Sequence, residues 1–77
     1  MEDDEIKRKI VQEAREREGT LCPSYVARQL SDDWRPLMDR IHEQVKELAK
    51  EGKIEVLKQG EPIDPEELKG PYRISES

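Results

Sequence analysis

LCPSYVARQLSDDWRPLM, residues 21–38, contains the pattern of two helices separated by a three-residue polar turn. Pro23 suits the first turn of a helix, because the N–H that proline lacks is one that a helix start leaves unpaired. A helix is therefore expected over residues 23–30, and residues 31–33 (Ser-Asp-Asp) then favour a turn and the N-cap of a second helix. Two helices joined by so short a turn are typical of the helix-turn-helix motif.

Longer helices are expected on both sides of this short helix. Apolar residues recur every three or four positions over residues 3–18 and over residues 34–51, which is the spacing of an amphipathic helix. Gly19 and Gly52 end the two segments, since glycine is favoured just beyond a helix. Residues 20–22 are expected to be extended, because a proline follows them. The apolar stripe of the third helix comprises Trp34, Leu37, Met38, Ile41, Val45, Leu48 and Ala49.

After Gly52 the pattern changes to that of strands. Ile54 and Val56 alternate with charged residues, which predicts a half-exposed strand over about 53–58, and a closing strand is expected over about 71–75. Three helices followed by this β-hairpin predict a winged helix-turn-helix, an α+β fold that is mostly α, with the hairpin as the wing. The alternative is a three-helix bundle with an unstructured tail, which leaves the apolar residues of both strands without a core.

Length and charge limit the classes of protein that the chain can represent. Its 77 residues suit one domain, expected over residues 1–77 with frayed ends at 1–4 and 76–77. The net charge of −5, from 19 acidic and 14 basic side chains, gives no overall attraction for nucleic acid. A single cysteine cannot form an internal disulfide, which fits a cytoplasmic location. No apolar run approaches the ~20 residues of a membrane span, so no membrane association is expected.

Five short motifs resemble those of a known family. They are CPSYVAR (22–28), DDWRPLM (32–38), EGKIEV (51–56), GEPIDP (60–65) and GPYRI (70–74). The resemblance covers about residues 6–75 and is to small bacterial proteins grouped as a domain of unknown function. It implies a winged-helix fold. It implies no activity and assigns no catalytic or binding residue.

Cys22 is the first residue to consider for chemistry. It precedes Pro23, so its thiol is expected near a helix start, where a thiolate is favoured. A nucleophilic cysteine also needs a base, and the sequence does not bring His42, the one histidine, close to it. The simpler interpretation makes Cys22 a small, partly buried cap residue. One cysteine and one histidine also provide too few ligands for a structural metal site.

The other patterns do not indicate catalysis. Adjacent acids occur at Asp32-Asp33 and at Glu66-Glu67, but neighbouring side chains on a helix point in different directions, so no acid–base pair follows. Both pairs are expected at the starts of helical turns. The four glycines are isolated from one another, so no phosphate-binding loop is present. We therefore expect no enzyme activity, cofactor, metal or small-molecule ligand.

The first functional hypothesis is a weak DNA-binding or transcription-regulatory module. In a helix-turn-helix the second helix enters the major groove, and the wing can contact the backbone. The predicted contacts to duplex DNA are Ser24, Arg28, Arg35, Arg40, Gln44, Lys46, Lys58 and Arg73, with Gln59 beside Lys58 in the wing. Asp32, Asp33, Asp39 and Glu43 belong to the same surface and oppose binding, because acids repel phosphate.

The second hypothesis is a protein-interaction module, including homodimerisation, that binds no nucleic acid. The same scaffold can present its helix and hairpin to a protein, because a fold does not determine a function. Trp34 with Arg35 could anchor a partner. Trp34 also falls on the apolar stripe, which favours a structural role with Arg35 pointing outward or covering the ring. A continuous positive face would favour DNA, whereas a mixed or negative face would favour a protein partner.

Overall fold

The computed structural model describes residues 2–17, 19–68 and 70–76. Its helices are α1 (Asp3–Glu16), α2 (Pro23–Leu30) and α3 (Met38–Lys50), and its strands are β1 (Ile54–Lys58), β2 (Glu61–Pro62) and β3 (Arg73–Glu76). Short 3-10 turns precede α3 and separate β2 from β3, over Arg35–Leu37 and Pro65–Glu67.

The first two helices lie close to their predicted positions. α2 covers the predicted residues 23–30, with Pro23 in its first turn. α1 ends at Glu16, earlier than predicted, and the backbone of Arg17 is already extended (φ −104°, ψ 129°). Glu18, the last residue of the predicted helix, lies outside the described residues.

The third helical segment starts with a tighter turn than predicted. Residues 35–37 form a 3-10 turn that contains Pro36, and the α-helix begins at Met38. Such turns are frequent at the N-terminal ends of α-helices. α3 ends at Lys50, and Gly52 then adopts a φ of +79°, a left-handed conformation that glycine takes without steric cost.

An antiparallel sheet follows the helices in the strand order β2-β1-β3. β1 and β3 pair with Val56 opposite Ile74. β1 returns into β2 through residues 59–60, whose φ angles of 54° and 83° are those of a two-residue hairpin. The sequence did not predict β2, because its two residues include a proline, which cannot donate a hydrogen bond to the ladder. β3 spans residues 73–76 instead of the predicted 71–75.

Leu21 joins the sheet to the segment between α1 and α2. Its N–H donates to the Ile74 carbonyl over 2.9 Å, and the Ile74 N–H donates to the Leu21 carbonyl over 2.8 Å. The pairing confirms the extended conformation predicted near residues 20–22. It also fixes β3 against the start of α2, where several candidate site residues lie.

One hydrophobic core lies between the helices and the sheet. Its buried residues are Ile6, Ile10, Ala14, Leu21, Val26, Ala27, Ile41, Val45, Leu48, Ile54, Val56, Tyr72 and Ile74. Because residues of β1 and β3 share this core with all three helices, the alternative of a helical bundle with an unstructured tail is wrong. The α+β architecture is confirmed, and it is compatible with the winged-helix fold.

The two ends are only partly described. Asp3 and Asp4 form the first turn of α1, and Glu76 is the last residue of β3, whereas Met1 and Ser77 lie outside the described residues. The fraying predicted for 1–4 and 76–77 stays a prediction, as does the single-domain boundary. Among the helices of the described chain, none has the length and apolar character to cross a membrane.

Candidate functional site

All three arginine and lysine side chains of α3 are ion-paired. Arg40 Nη2 lies 2.9 Å from Asp3 Oδ1 at the start of α1. Lys46 Nζ lies 3.2 Å from a carboxylate oxygen of Glu66, and Lys50 contacts the other oxygen of the same carboxylate. Arg40 and Lys46, two of the cations expected to contact DNA, are therefore paired with carboxylates of the same chain.

Glu66 reaches α3 because the wing loop, residues 59–68, folds back toward that helix. Asp64 starts the 3-10 turn of this loop, and its side chain accepts a hydrogen bond of 2.9 Å from the Glu66 N–H. The Lys50 and Lys46 ammonium groups lower the pKa of Glu66, Lys50 having the larger effect. The predicted helical turn around Glu66 and Glu67 is confirmed, but its orientation toward α3 was not foreseen.

The remaining polar residues of α3 that were considered for a DNA-facing surface differ in exposure. Gln44 is only 4% exposed, and its side-chain oxygen has no hydrogen-bond partner within the described residues. It lies on the buried face of α3 with Ile41 and Leu48, so its side chain is not presented at the surface, and the predicted contact with a base stays a prediction. Asp39 and Glu43 are exposed, and neither forms an ion pair in the part of the chain that is described.

Two arginines cover the single tryptophan. The guanidinium carbons of Arg28 and Arg35 lie 4.9 and 5.1 Å from the centre of the Trp34 ring, within the range of cation–π attraction. Trp34 itself is half-buried and packs against the core. Of the two alternatives for Arg35, pointing outward or covering the ring, the structure has the second. Trp34 joins the core only at its edge. We call Arg28, Trp34 and Arg35 the Trp34 platform.

The platform differs from α3 in its electrostatics. Within the described residues neither Arg28 nor Arg35 has a carboxylate partner. Each guanidinium therefore keeps N–H donors for a group outside the chain. Asp32 and Asp33 lie exposed just before the platform, with the Asp33 N–H bonded to Ser31 Oγ over 3.2 Å.

Cys22 lies at the other end of α2. It is the N-cap residue and is exposed, which corrects the prediction that it is partly buried. Ser24 Oγ donates a hydrogen bond of 3.4 Å to its sulfur. Cys22, Ser24, His42 and Tyr72 line one shallow depression of about 210 Å³, so the fold does bring His42 toward Cys22.

The neighbours of Cys22 are engaged with each other. His42 Nδ1 and the Tyr72 hydroxyl are joined by a hydrogen bond of 2.6 Å. Burial raises the pKa of Tyr72, and the nearby Cys22 adds to the effect. The Nδ1 atom of His42 is thus engaged by a phenol. Among the described residues, no three His, Cys, Asp or Glu side chains gather closely enough to hold a metal ion.

Two further predicted contacts lie near the sheet. Arg73 donates to the Thr20 hydroxyl and to the Thr20 carbonyl, both over 3.1 Å. Lys58 is exposed at the end of β1. Together with Cys22 and Tyr72, they line a second depression of about 300 Å³. The predicted contacts therefore do not form one basic face.

The structure is that of a small α+β domain, compatible with a winged-helix-like architecture, in which the cations of α3 are paired within the chain. The family described as protein of unknown function (DUF3253) matches residues 3–77, and the chain belongs to that family. This match confirms the resemblance to a family of unknown function. No curated protein matches the chain.

Proposed function

We propose that the domain is a protein-interaction module that contacts its partner through the Trp34 platform, and that it is neither an enzyme nor a reader of duplex DNA. The observation that carries the proposal is the pairing of Arg40, Lys46 and Lys50 with carboxylates of the same chain. A helix in the major groove needs free cations or polar side chains to face phosphate and base edges.

The exposed acids of α3 point to the same conclusion. Asp39 and Glu43 lie exposed on the surface that a helix-turn-helix turns toward DNA. Each carboxylate near a phosphate lowers the affinity instead of releasing a counterion. The net charge of −5 adds a long-range repulsion between the domain and the phosphates of DNA.

The Trp34 platform has the composition of a protein contact site. Tryptophan and arginine are the residues most enriched among those that dominate binding energy at protein interfaces. Trp34 is held by the core on one side, so little side-chain freedom is lost when a partner covers the rest of it. The unpaired guanidiniums of Arg28 and Arg35 select a partner segment that offers carboxylates.

Selection of peptides from a random displayed library on the immobilised domain tests the proposal. We expect enriched peptides to contain acidic residues and to lose at least tenfold in affinity when Arg28 and Arg35 are both replaced by glutamine. Arg17→Gln is the matched control, because Arg17 also covers an aromatic ring, that of Tyr25, at 4.6 Å. Enrichment that is insensitive to Arg28 and Arg35 would contradict the proposal.

DNA binding is the second candidate, and one observation favours it. Arg28 and Arg35 lie where the two helices of the motif meet, near the end of the second helix that contacts DNA in helix-turn-helix proteins. Titration with a duplex at ~50 mM salt, which favours phosphate contacts, decides between the candidates. Salt-dependent shifts in the amides of residues 34–46 would support DNA binding, and we expect none.

A further inference from the structure

A groove on another part of the molecule lies apart from the candidate residues described above. It has a volume of about 690 Å³ and lies along α1, beside the end of α3 and the start of β1. Its lining residues are Asp4, Lys7, Arg8, Val11, Gln12, Arg15, Glu16, Leu48 and Lys53. It shares no residue with the Trp34 platform, so a ligand here is a separate function of the domain.

The floor of the groove is apolar. Val11 is half-buried and packs against the core, while Leu48 beneath it is 2% exposed. A partner that covers Val11 removes apolar surface from water, which favours association. Polar ligands alone, such as a free anion, would leave this part of the groove unused.

The rim of the groove is basic, although the whole chain is acidic. Lys7 and Lys53 are held by acids of the chain, Lys7 to Glu47 at 3.4 Å and Lys53 to Glu51 at 3.4 Å. Arg8 and Arg15 are exposed, and within the described residues neither forms an ion pair. They are the cations of the rim that remain available to a partner.

Acids also line the groove and limit what fits. Asp4 and Glu16 lie at its two ends along α1, and Glu16 accepts a hydrogen bond of 3.2 Å from Gln12. The available positive charge is therefore concentrated between them, at Arg8 and Arg15. A long polyanion meets repulsion at both ends, whereas a short acidic segment does not.

The spacing of the two arginines defines the ligand further. Residues 8 and 15 are two helical turns apart, roughly 10 Å along the axis, and lie on one side of α1. Val11 falls between them along the helix. A second helix with acids at positions i and i+7 and a large apolar residue at i+3 or i+4 reproduces this arrangement in complementary form.

We infer that this groove binds an acidic amphipathic helix of another protein, with two carboxylates on Arg8 and Arg15 and an apolar side chain on Val11. Recognition of this kind is a helix-in-groove mode, in which apolar anchors repeat with helical spacing. Charge complementarity selects the acidic partner, since Arg8 and Arg15 flank the apolar floor and neither has an ion pair among the described residues.

The probe for this inference is a synthetic alanine-based helix of about 17 residues, with two Glu seven positions apart and a Leu between them. Titration followed by NMR should shift the amides around Val11 and Leu48. Replacing both Arg8 and Arg15 by glutamine should weaken binding about tenfold, because two exposed charge pairs are lost. Arg28→Gln with Arg35→Gln is the matched control and should leave binding unchanged.

Two control peptides separate the contributions. A peptide with Lys in place of Glu, and one with Ala in place of Leu, should each bind at least fivefold more weakly. The inference is overturned if no shift occurs at millimolar peptide or if the Lys peptide binds equally well. It is also overturned if the same amides shift with protein concentration alone, since the occupant is then a second copy. Replacing Arg28 and Arg35 tests only the Trp34 platform, so either of the two proposals can be refuted while the other stands.

Discussion

Replacement of Ile74 by alanine tests the packing of the last strand on the helices. Ile74 is fully buried, and its backbone bonds to Leu21 over 2.9 and 2.8 Å. Those backbone bonds persist in the variant, so only the side chain is lost. The hydrophobic contacts of that side chain join the sheet to the helical layer.

The expected loss is large for so small a domain. Truncating a fully buried isoleucine to alanine costs about 2–5 kcal/mol, depending on how far the cavity collapses. Native domains have roughly 0.05–0.15 kcal/mol of stability per residue, which gives a chain of 77 residues about 4–12 kcal/mol. Ile74→Ala should therefore remove about a sixth or more of the total free energy of unfolding.

Urea unfolding monitored by Trp34 fluorescence and by far-ultraviolet circular dichroism measures this loss. With an m-value of about 1 kcal/mol/M, the midpoint should fall by about 2–5 M. Ile63→Ala is the control, because Ile63 is half-buried in the wing loop and should cost only about 1 kcal/mol.

A loss below about 1 kcal/mol for Ile74→Ala, with an unchanged m-value, would refute the packing argument. The helices would then be stable without β3. That result would restore the three-helix bundle with an unstructured tail, which the shared core now excludes.

Three other predictions concern single side chains. Glu66→Gln frees two lysines, so a duplex at ~50 mM salt should begin to shift the amides of residues 34–46, whereas with Glu67→Gln it should shift none; equal effects would contradict the pairing. Burial raises the pKa of Tyr72, so the unfolded state loses its proton first and stability should fall as the pH rises above about 10. Tyr72→Phe should flatten that fall in urea titrations between pH 9 and 11, and an unchanged slope would refute the assignment. Cys22 is exposed, so one thiol should react with a disulfide reagent in the native protein, and a thiol that needs denaturant would show it to be buried.

Local sequence patterns accounted for most of the fold. α2 could be placed because Pro23 marks its start and polar residues mark its end. The two features that were missed, the 3-10 start of α3 and the short strand β2, contain Pro36 and Pro62. Proline has no backbone N–H to donate, so the spacing of apolar residues alone does not predict the hydrogen-bonding pattern at either place.

The candidate site was harder to predict, because it depends on contacts between distant residues. Arg40 pairs with Asp3, which is 37 positions away, and no local pattern indicates that pairing. The burial of Gln44 was predictable, since it lies three residues after Ile41 and four before Leu48 and so continues the apolar stripe. A polar side chain favours a surface position, but the place of Gln44 in the helical repeat is that of a core residue.

The wing loop shows why the architecture does not determine the ligand. In a DNA-binding winged helix, free cations on the second motif helix supply the phosphate contacts. Here the loop after β2 turns Glu66 toward Lys46 and Lys50 instead. One carboxylate thereby pairs with both lysines. Asp39 and Glu43 lie exposed on the same helix. Within the described residues, Arg28 and Arg35 beside Trp34 have no carboxylate partner, and neither do Arg8 and Arg15 along α1. Each of these two surfaces combines positive charge with apolar area. That combination suits acidic protein segments better than a phosphate backbone, because a duplex backbone offers no apolar group to cover Trp34 or Val11.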